Sequence, residues 1–132
     1  MDLADFDVLA AVEKGHTYTV LTPYGEDKGK PTDIQIDVAG IGSKLYDTAM
    51  GRIRAYQEKQ QSRGKPVDQE YMDSLYMRLV VDCTRGWTGL KENKKDVPFS
   101  KEKATEMYEK YPWLRSQVLD ALSYIDTMLE KK

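Results

Sequence analysis

The order of apolar and polar residues predicts a β-hairpin in the first third of the chain. In HTYTVLTP, Tyr18 and Val20 fall on one face of an extended segment, and the segment TDIQIDVAG alternates in the same way. The apolar positions of the second segment are Ile34, Ile36 and Val38. The connection YGEDKGKP is rich in glycine, proline and charge, which favours a long exposed loop between two antiparallel strands.

After the hairpin, apolar residues recur at steps of three and four, which is the spacing of one face of an α-helix. Ser43 is a suitable N-cap for the first of these helices, and Pro66 or Val67 opens the second. The first stripe consists of Leu45, Tyr46, Ala49, Met50, Ile53 and Tyr56, and the second of Met72, Leu75, Tyr76, Leu79, Val80 and Cys83.

Two further helices are predicted near the C-terminus. Gly86 and Gly89 end the second helix, and a lysine-rich loop runs to Phe99. Ser100 is a suitable cap for KEKATEMYEKY, and Pro112 suits the first turn of the last helix. The apolar side of that last helix comprises Leu114, Val118, Ala121, Leu122, Ile125, Met128 and Leu129.

These elements predict an α+β fold that is mainly α: an N-terminal β-hairpin followed by three to four amphipathic helices. The length of 132 residues suits a single domain spanning 1–132. Within it we expect an N-terminal helix or arm over 1–15, the β-hairpin over 16–40 and the helical part over 43–130.

Composition narrows the classes of function. The net charge is -2, which disfavours nucleic acid as the main partner. No apolar run is long enough to span a membrane, and four acids precede Lys14, unlike a secretory signal. Cys83 is the single cysteine and cannot form an intramolecular disulfide, which agrees with a reducing compartment. We therefore expect a cytoplasmic protein with no membrane and no nucleic-acid partner.

The residues that enzymes use most often are scarce. His16 is the only histidine and adjoins a predicted strand, and Cys83 lies on the apolar stripe of a helix, so neither builds a catalytic triad. One histidine and one cysteine do not make a zinc site. GEDKGKPT departs from the phosphate-binding loop in its glycine spacing and in Pro31 after Lys30. We expect no enzyme activity, no metal and no cofactor.

The segment GWTGLKENKKDVPFSKEKA places large apolar residues among lysines and polar side chains. In one interpretation, Trp87 and Phe99 fold back as the two ends of a loop clamp and cover the core. In the other, they stay partly exposed beside the start of the last helix and form an apolar patch that binds another protein chain. The candidate partner-binding residues are Trp87, Leu90, Phe99, Tyr111, Trp113 and Leu114.

The order of several short motifs resembles the tail assembly chaperones of phages and prophages. These motifs are WTGL, a lysine-rich turn, VPFS and YPWLRSQVLDAL, preceded by YGEDKGKPTDIQIDVAG and the serine-led helix SKLYDTAMGRIRAY. The resemblance covers roughly residues 17 to 125. It implies a non-enzymatic protein of the host cell cytoplasm that binds the tape measure protein, an apolar helical chain, and keeps it soluble during long-tail assembly.

The resemblance also implies further partners and leaves one alternative open. The tail tube protein is a second candidate partner, and a homo-oligomer is compatible with the wide apolar stripe over 67–85. The alternative function is a structural virion protein, either a tail or a head-completion component. A chaperone is absent from the finished particle, whereas a structural component remains in it.

Overall fold

The computed structural model describes residues 2–3 and 15–123. Within these residues the chain has four α-helices and five β-strands. The strands are β1 (His16–Leu21), β2 (Pro31–Val38), β3 (Thr84–Thr88), β4 (Lys91–Glu92) and β5 (Lys95–Asp96). The helices are α1 (Lys44–Ser62), α2 (Gln69–Cys83), α3 (Lys101–Lys110) and α4 (Pro112–Ser123). The α+β fold with dominant helices is confirmed. The helix or arm expected over 1–15, apart from residues 2–3 and 15, and the last part of the final helix lie outside the described residues.

The predicted hairpin is present as the antiparallel pair of β1 and β2, in which Tyr18 faces Ile36 and His16 faces Val38. Val20, Ile36 and Val38 are fully buried, because alternate residues of a strand point to the same face and this face packs against helices. Within the described part of the chain, β2 is the central strand of a three-stranded sheet with the order β1-β2-β3.

The strand β3 corrects the sequence-based expectation of a loop after α2. It pairs antiparallel with β2, so that Trp87 lies opposite Ile36. The two glycines that were predicted to end the second helix have other roles. Gly86 lies inside the strand, and Gly89 has a φ of +74° at a position where a Cβ atom would collide with the carbonyl of Asp33.

The junction between α2 and β3 is stabilised by side chains from α3. The hydroxyl of Thr84 lies 2.7 Å from the Tyr108 hydroxyl and 2.7 Å from the Val80 carbonyl oxygen, to which it donates. Lys101 Nζ donates to the carbonyl oxygens of Val81, Asp82 and Thr84 at 2.9, 3.1 and 2.6 Å. The last carbonyl groups of a helix have no intrahelical hydrogen-bond donors, and here the ammonium group of Lys101 donates to them instead.

The predicted helix starts are confirmed at Ser43, Ser100 and Pro112 and corrected at one other place. Ser43 caps α1 by accepting from the amide of Tyr46, and Ser100 caps α3 by accepting from the amide of Lys103. The second helix, predicted to open at Pro66 or Val67, begins instead at Gln69, because the Asp68 carboxylate caps it by accepting from the amide of Tyr71. Leu45 belongs to the predicted apolar stripe of α1, but it is 46% exposed.

The core lies between one face of the sheet and the helices. Helix α4 contacts β1, β2, α2 and α3, whereas α1 packs mainly on α2. Most of the predicted stripe of α2 is buried, including Leu79, Val80 and Cys83. No helix within the described residues is long and apolar enough to cross a membrane.

Candidate functional site

Trp87 closes the loop that follows β3. Its indole N–H donates to the carbonyl oxygen of Val97 at 2.7 Å, and its ring meets the Phe99 ring edge to face, with centroids 4.9 Å apart. Trp87 is 8% exposed and Phe99 is partly buried. The loop-clamp interpretation is therefore confirmed for this pair of rings, and Trp87 is a core residue.

Between the two clamp residues, β4 and β5 form a small hairpin that was predicted only as a loop. Lys91 faces Asp96 and Glu92 faces Lys95 across the hairpin, and the amide of Val97 donates to the carbonyl of Leu90 at 2.9 Å. The turn residues Asn93 and Lys94 have φ angles of 53° and 68°. Two successive positive φ angles are the signature of a two-residue type I′ turn, whose twist matches that of the strands.

Glu92 fastens this hairpin to the junction of α3 and α4. Its carboxylate accepts from the Tyr111 hydroxyl at 2.6 Å and pairs with Lys110 Nζ at 2.8 Å. The hydrogen bond from Lys110, and then that from Tyr111, lower the pKa of the Glu92 carboxyl. In turn, the bond to Glu92 raises the pKa of the Lys110 ammonium group and that of the Tyr111 phenol. Each of the three side chains therefore has a hydrogen-bond or ion-pair partner within this group.

The hairpin and the two helices enclose a small pocket of about 200 Å³. Its walls are largely apolar, and its one acidic group, Glu92, is already paired. The residues that line it are Ile34, Leu90, Lys91, Glu92, Asn93, Met107, Tyr111, Trp113 and Leu114. Ligand sites for drug-sized molecules are about 300 to 1,000 Å³, so this pocket suits a single large side chain better than a whole small molecule.

Four of the six predicted partner-binding residues meet at this pocket, namely Leu90, Tyr111, Trp113 and Leu114. Their exposure differs, however. Leu90 and Leu114 are 5% and 3% exposed and form the floor, whereas Tyr111 and Trp113 are partly buried and form the rim. Trp87 and Phe99 lie outside the pocket lining. Contact of any of the six with a partner stays a prediction, and the rim residues are the accessible ones.

Trp113 is also a wall of a larger open groove of about 740 Å³ between α4 and the β1–β2 loop. Gln117 organises this groove. Its side-chain carbonyl accepts from the Leu21 amide and the Tyr18 hydroxyl at 2.9 Å each, and its amide group donates to the Leu21 carbonyl at 2.9 Å. Sequence reasoning missed Gln117, as well as Ile34 and Met107 in the smaller pocket, because spacing within one element does not reveal contacts between elements.

The two residues considered for catalysis are His16 and Cys83. His16 is the first residue of β1. Cys83 is fully buried, and burial together with the Asp82 carboxylate raises the pKa of its thiol to about 12. A thiol with so high a pKa is protonated near neutral pH and is a poor nucleophile. No group of three or more potential metal ligands occurs among the residues that the structure describes.

Comparison with protein families gives a match. A family model described as YdaY prophage protein matches residues 41–131, which is about two thirds of the 132 residues. The matched region begins after the β1–β2 hairpin and contains all six candidate residues. No curated protein and no solved structure matches the chain.

Proposed function

Because the chain belongs to the YdaY prophage protein family, we propose that it is a tail assembly chaperone of a long-tailed phage. In this role it binds the tape measure protein in the host cytoplasm and keeps that helical client soluble. Membership in the family supports the prophage origin. The order of the motifs over 17–125 and the pocket between the β4–β5 hairpin and α4 support the finer role.

The observation that carries the proposal is the small pocket with its partly exposed aromatic rim. A helical client presents apolar side chains along one stripe, and one of them fits a pocket of about 200 Å³. Binding energy at such interfaces concentrates on a few aromatic residues that surround a buried anchor. Tyr111 and Trp113 supply these aromatic groups, with their rings 6.5 Å apart.

The polar groups at the pocket favour binding over catalysis. Glu92, Lys110 and Tyr111 bond to one another, so they hold the hairpin in place instead of presenting an unpaired acid and base to a substrate. Because Glu92 holds Tyr111 before binding, the client does not have to order this part of the rim, and less conformational entropy is lost on association.

Co-expression with the tape measure protein of the same prophage tests the proposal. We expect the soluble fraction of that client to rise several-fold in the presence of the wild-type chain. Trp113→Ala should reduce this rise in the soluble fraction, because it removes a pocket wall that is accessible to solvent. Leu114 is a poor choice for this test, since its burial makes unfolding the dominant effect of truncation.

A matched control is Tyr71→Ala, which removes an aromatic ring that is 48% exposed on α2 and lines neither the small pocket nor the larger groove. It should leave the solubility of the client at the wild-type value. A client that stays equally insoluble with and without the wild-type chain would contradict the proposed function.

A further inference from the structure

The hairpin beside the pocket carries positive charge, although the whole chain is acidic. Its four charged strand residues lie opposite one another in the strand register, Lys91 across from Asp96 and Glu92 across from Lys95. Glu92 also accepts from Lys110, which leaves this surface with four lysines against two acids: Lys91, Lys94, Lys95 and Lys110 against Glu92 and Asp96. The charges of these six side chains sum to +2, whereas the chain has -2.

Lys94 differs from the other three lysines of this surface in its backbone conformation. It is exposed, and within residues 15–123 it has no ion pair and no side-chain hydrogen bond. Its φ angle of +68° places it in the left-handed region, at the turn position where type I′ hairpins prefer glycine. A lysine that is unfavourable for the backbone and unpaired within the fold points to a use for its charge outside the fold.

We propose that the hairpin recognises acidic residues next to the apolar anchor of the bound segment. The anchor enters the pocket, and an aspartate or glutamate beside it faces Lys94 at the tip of the hairpin. This inference rests on the proposed function and deepens it, because it specifies the client as a segment in which acids flank a large apolar residue. Opposite charges at the edge of an interface set orientation and partner choice.

The same lysines could attract nucleic acid, but the surroundings favour a polypeptide. The adjoining pocket is lined mainly by apolar side chains and has room for one of them. A phosphate backbone is bound by many cations, and its affinity depends on their number. This patch has an excess of only two positive charges, and it lies on a chain whose pI is about 5.5.

Overlapping synthetic peptides that span the tape measure protein of the same prophage provide the probe. We expect the tightest-binding peptides to carry aspartate or glutamate beside a large apolar residue. Their affinity for Lys94→Gly should be about two- to fivefold lower than for the wild type, which is the range for exposed charge pairs. The same substitution should raise the melting temperature by roughly 2 to 5 °C, because glycine relieves the backbone at this turn. Binding and stability thus change in opposite directions.

Three controls separate charge from other effects. Lys94→Arg keeps the charge and should retain binding, whereas Lys59→Gln removes a charge on α1, away from the hairpin, and should change nothing. Higher salt should weaken peptide binding by the wild type more than peptide binding by Lys94→Gly. Equal affinity of the wild type and Lys94→Gly for the bound peptides would overturn the inference and leave the proposed function standing. No bound peptide at all would contradict the proposed function, and tighter binding of a single-stranded RNA homopolymer than of any peptide would overturn both.

Discussion

At the scale of residues, the two tryptophans show how different roles arise from similar sequence surroundings. Each follows a glycine or a proline and adjoins a polar segment. Trp87 is 8% exposed, donates to Val97 and packs on Phe99, whereas Trp113 is partly buried between a pocket and a groove. Their roles follow from what β3 and α4 pack against, which the local sequence does not contain.

This difference predicts opposite outcomes for the two alanine variants. Trp87→Ala should lower the free energy of unfolding by about 3 to 5 kcal/mol, because it empties a core site and leaves the Val97 carbonyl without its donor. Trp113→Ala should lower it by only about 1 to 2 kcal/mol, since part of that ring is already in water. Urea unfolding followed by circular dichroism measures both. Equal losses would contradict the assignment of Trp87 to the core and of Trp113 to the surface.

The Glu92 contacts predict how the hairpin responds to pH. The bonds from Lys110 and Tyr111 lower the pKa of this carboxyl in the folded protein, below the usual value of about 4.3. Its contribution to stability is therefore complete above that value and is lost as the pH falls through the lowered pKa. A carbon-detected NMR titration should give this low pKa, and Lys110→Met should raise it. A pKa that is ordinary in both proteins would show that the network does not form in solution.

At the scale of elements, Gln117 links α4 to the edge of the sheet. Its side chain bonds both backbone polar groups of Leu21, much as a neighbouring strand does. The link fixes the distance between α4 and β1, and with it the width of the groove beside Trp113.

Replacing Gln117 with leucine tests this link. The substitution keeps the size but leaves the amide and carbonyl of Leu21 without partners, so the free energy of unfolding should fall by about 1 to 3 kcal/mol. Thermal unfolding monitored by circular dichroism measures the loss. The neighbouring exposed change Ser116→Ala should stay within about 0.5 kcal/mol of the wild type. A loss for Gln117→Leu no larger than this control would show that the link does not stabilise the groove.

The elements also show which signals in the sequence are sufficient to predict structure. The hairpin of β1 and β2 and the caps of α1 and α3 were predicted correctly, because alternation and capping are local patterns. The strand β3 was missed, since Gly86 within it and Gly89 just after it resemble a helix end, and its pairing with β2 depends on a partner far away in the chain. The type I′ turn at Asn93 was missed for a related reason, because Lys94 occupies the position where glycine would have signalled it.

At the scale of the whole molecule, the candidate site lies where three separate parts of the chain meet. Ile34 comes from β2, Leu90 and Glu92 from the region of the small hairpin, and Met107, Trp113 and Leu114 from α3 and α4. The sequence predicted four of the lining residues from their apolar character and from the resemblance to tail assembly chaperones. It did not predict the pocket itself, which exists only when these parts are packed together.

A chaperone and a structural virion protein differ in where the chain is found after assembly. We expect the chain to be absent from purified phage particles and present in the lysate that produced them, because a chaperone leaves before the tail is complete. Quantitative mass spectrometry of both fractions makes the comparison, with the tail tube protein as the internal reference. A fixed number of copies per particle would favour the structural alternative.

Hydrogen–deuterium exchange of the purified chain, alone and in complex with the co-expressed tape measure protein, is the most direct test of the claim that this protein works by binding another polypeptide at the pocket. The account predicts slower amide exchange over 90–114 in the complex, with little change at the far end of the α1–α2 pair over 59–71. Unchanged exchange over 90–114, or protection confined to other parts of the chain, would contradict it.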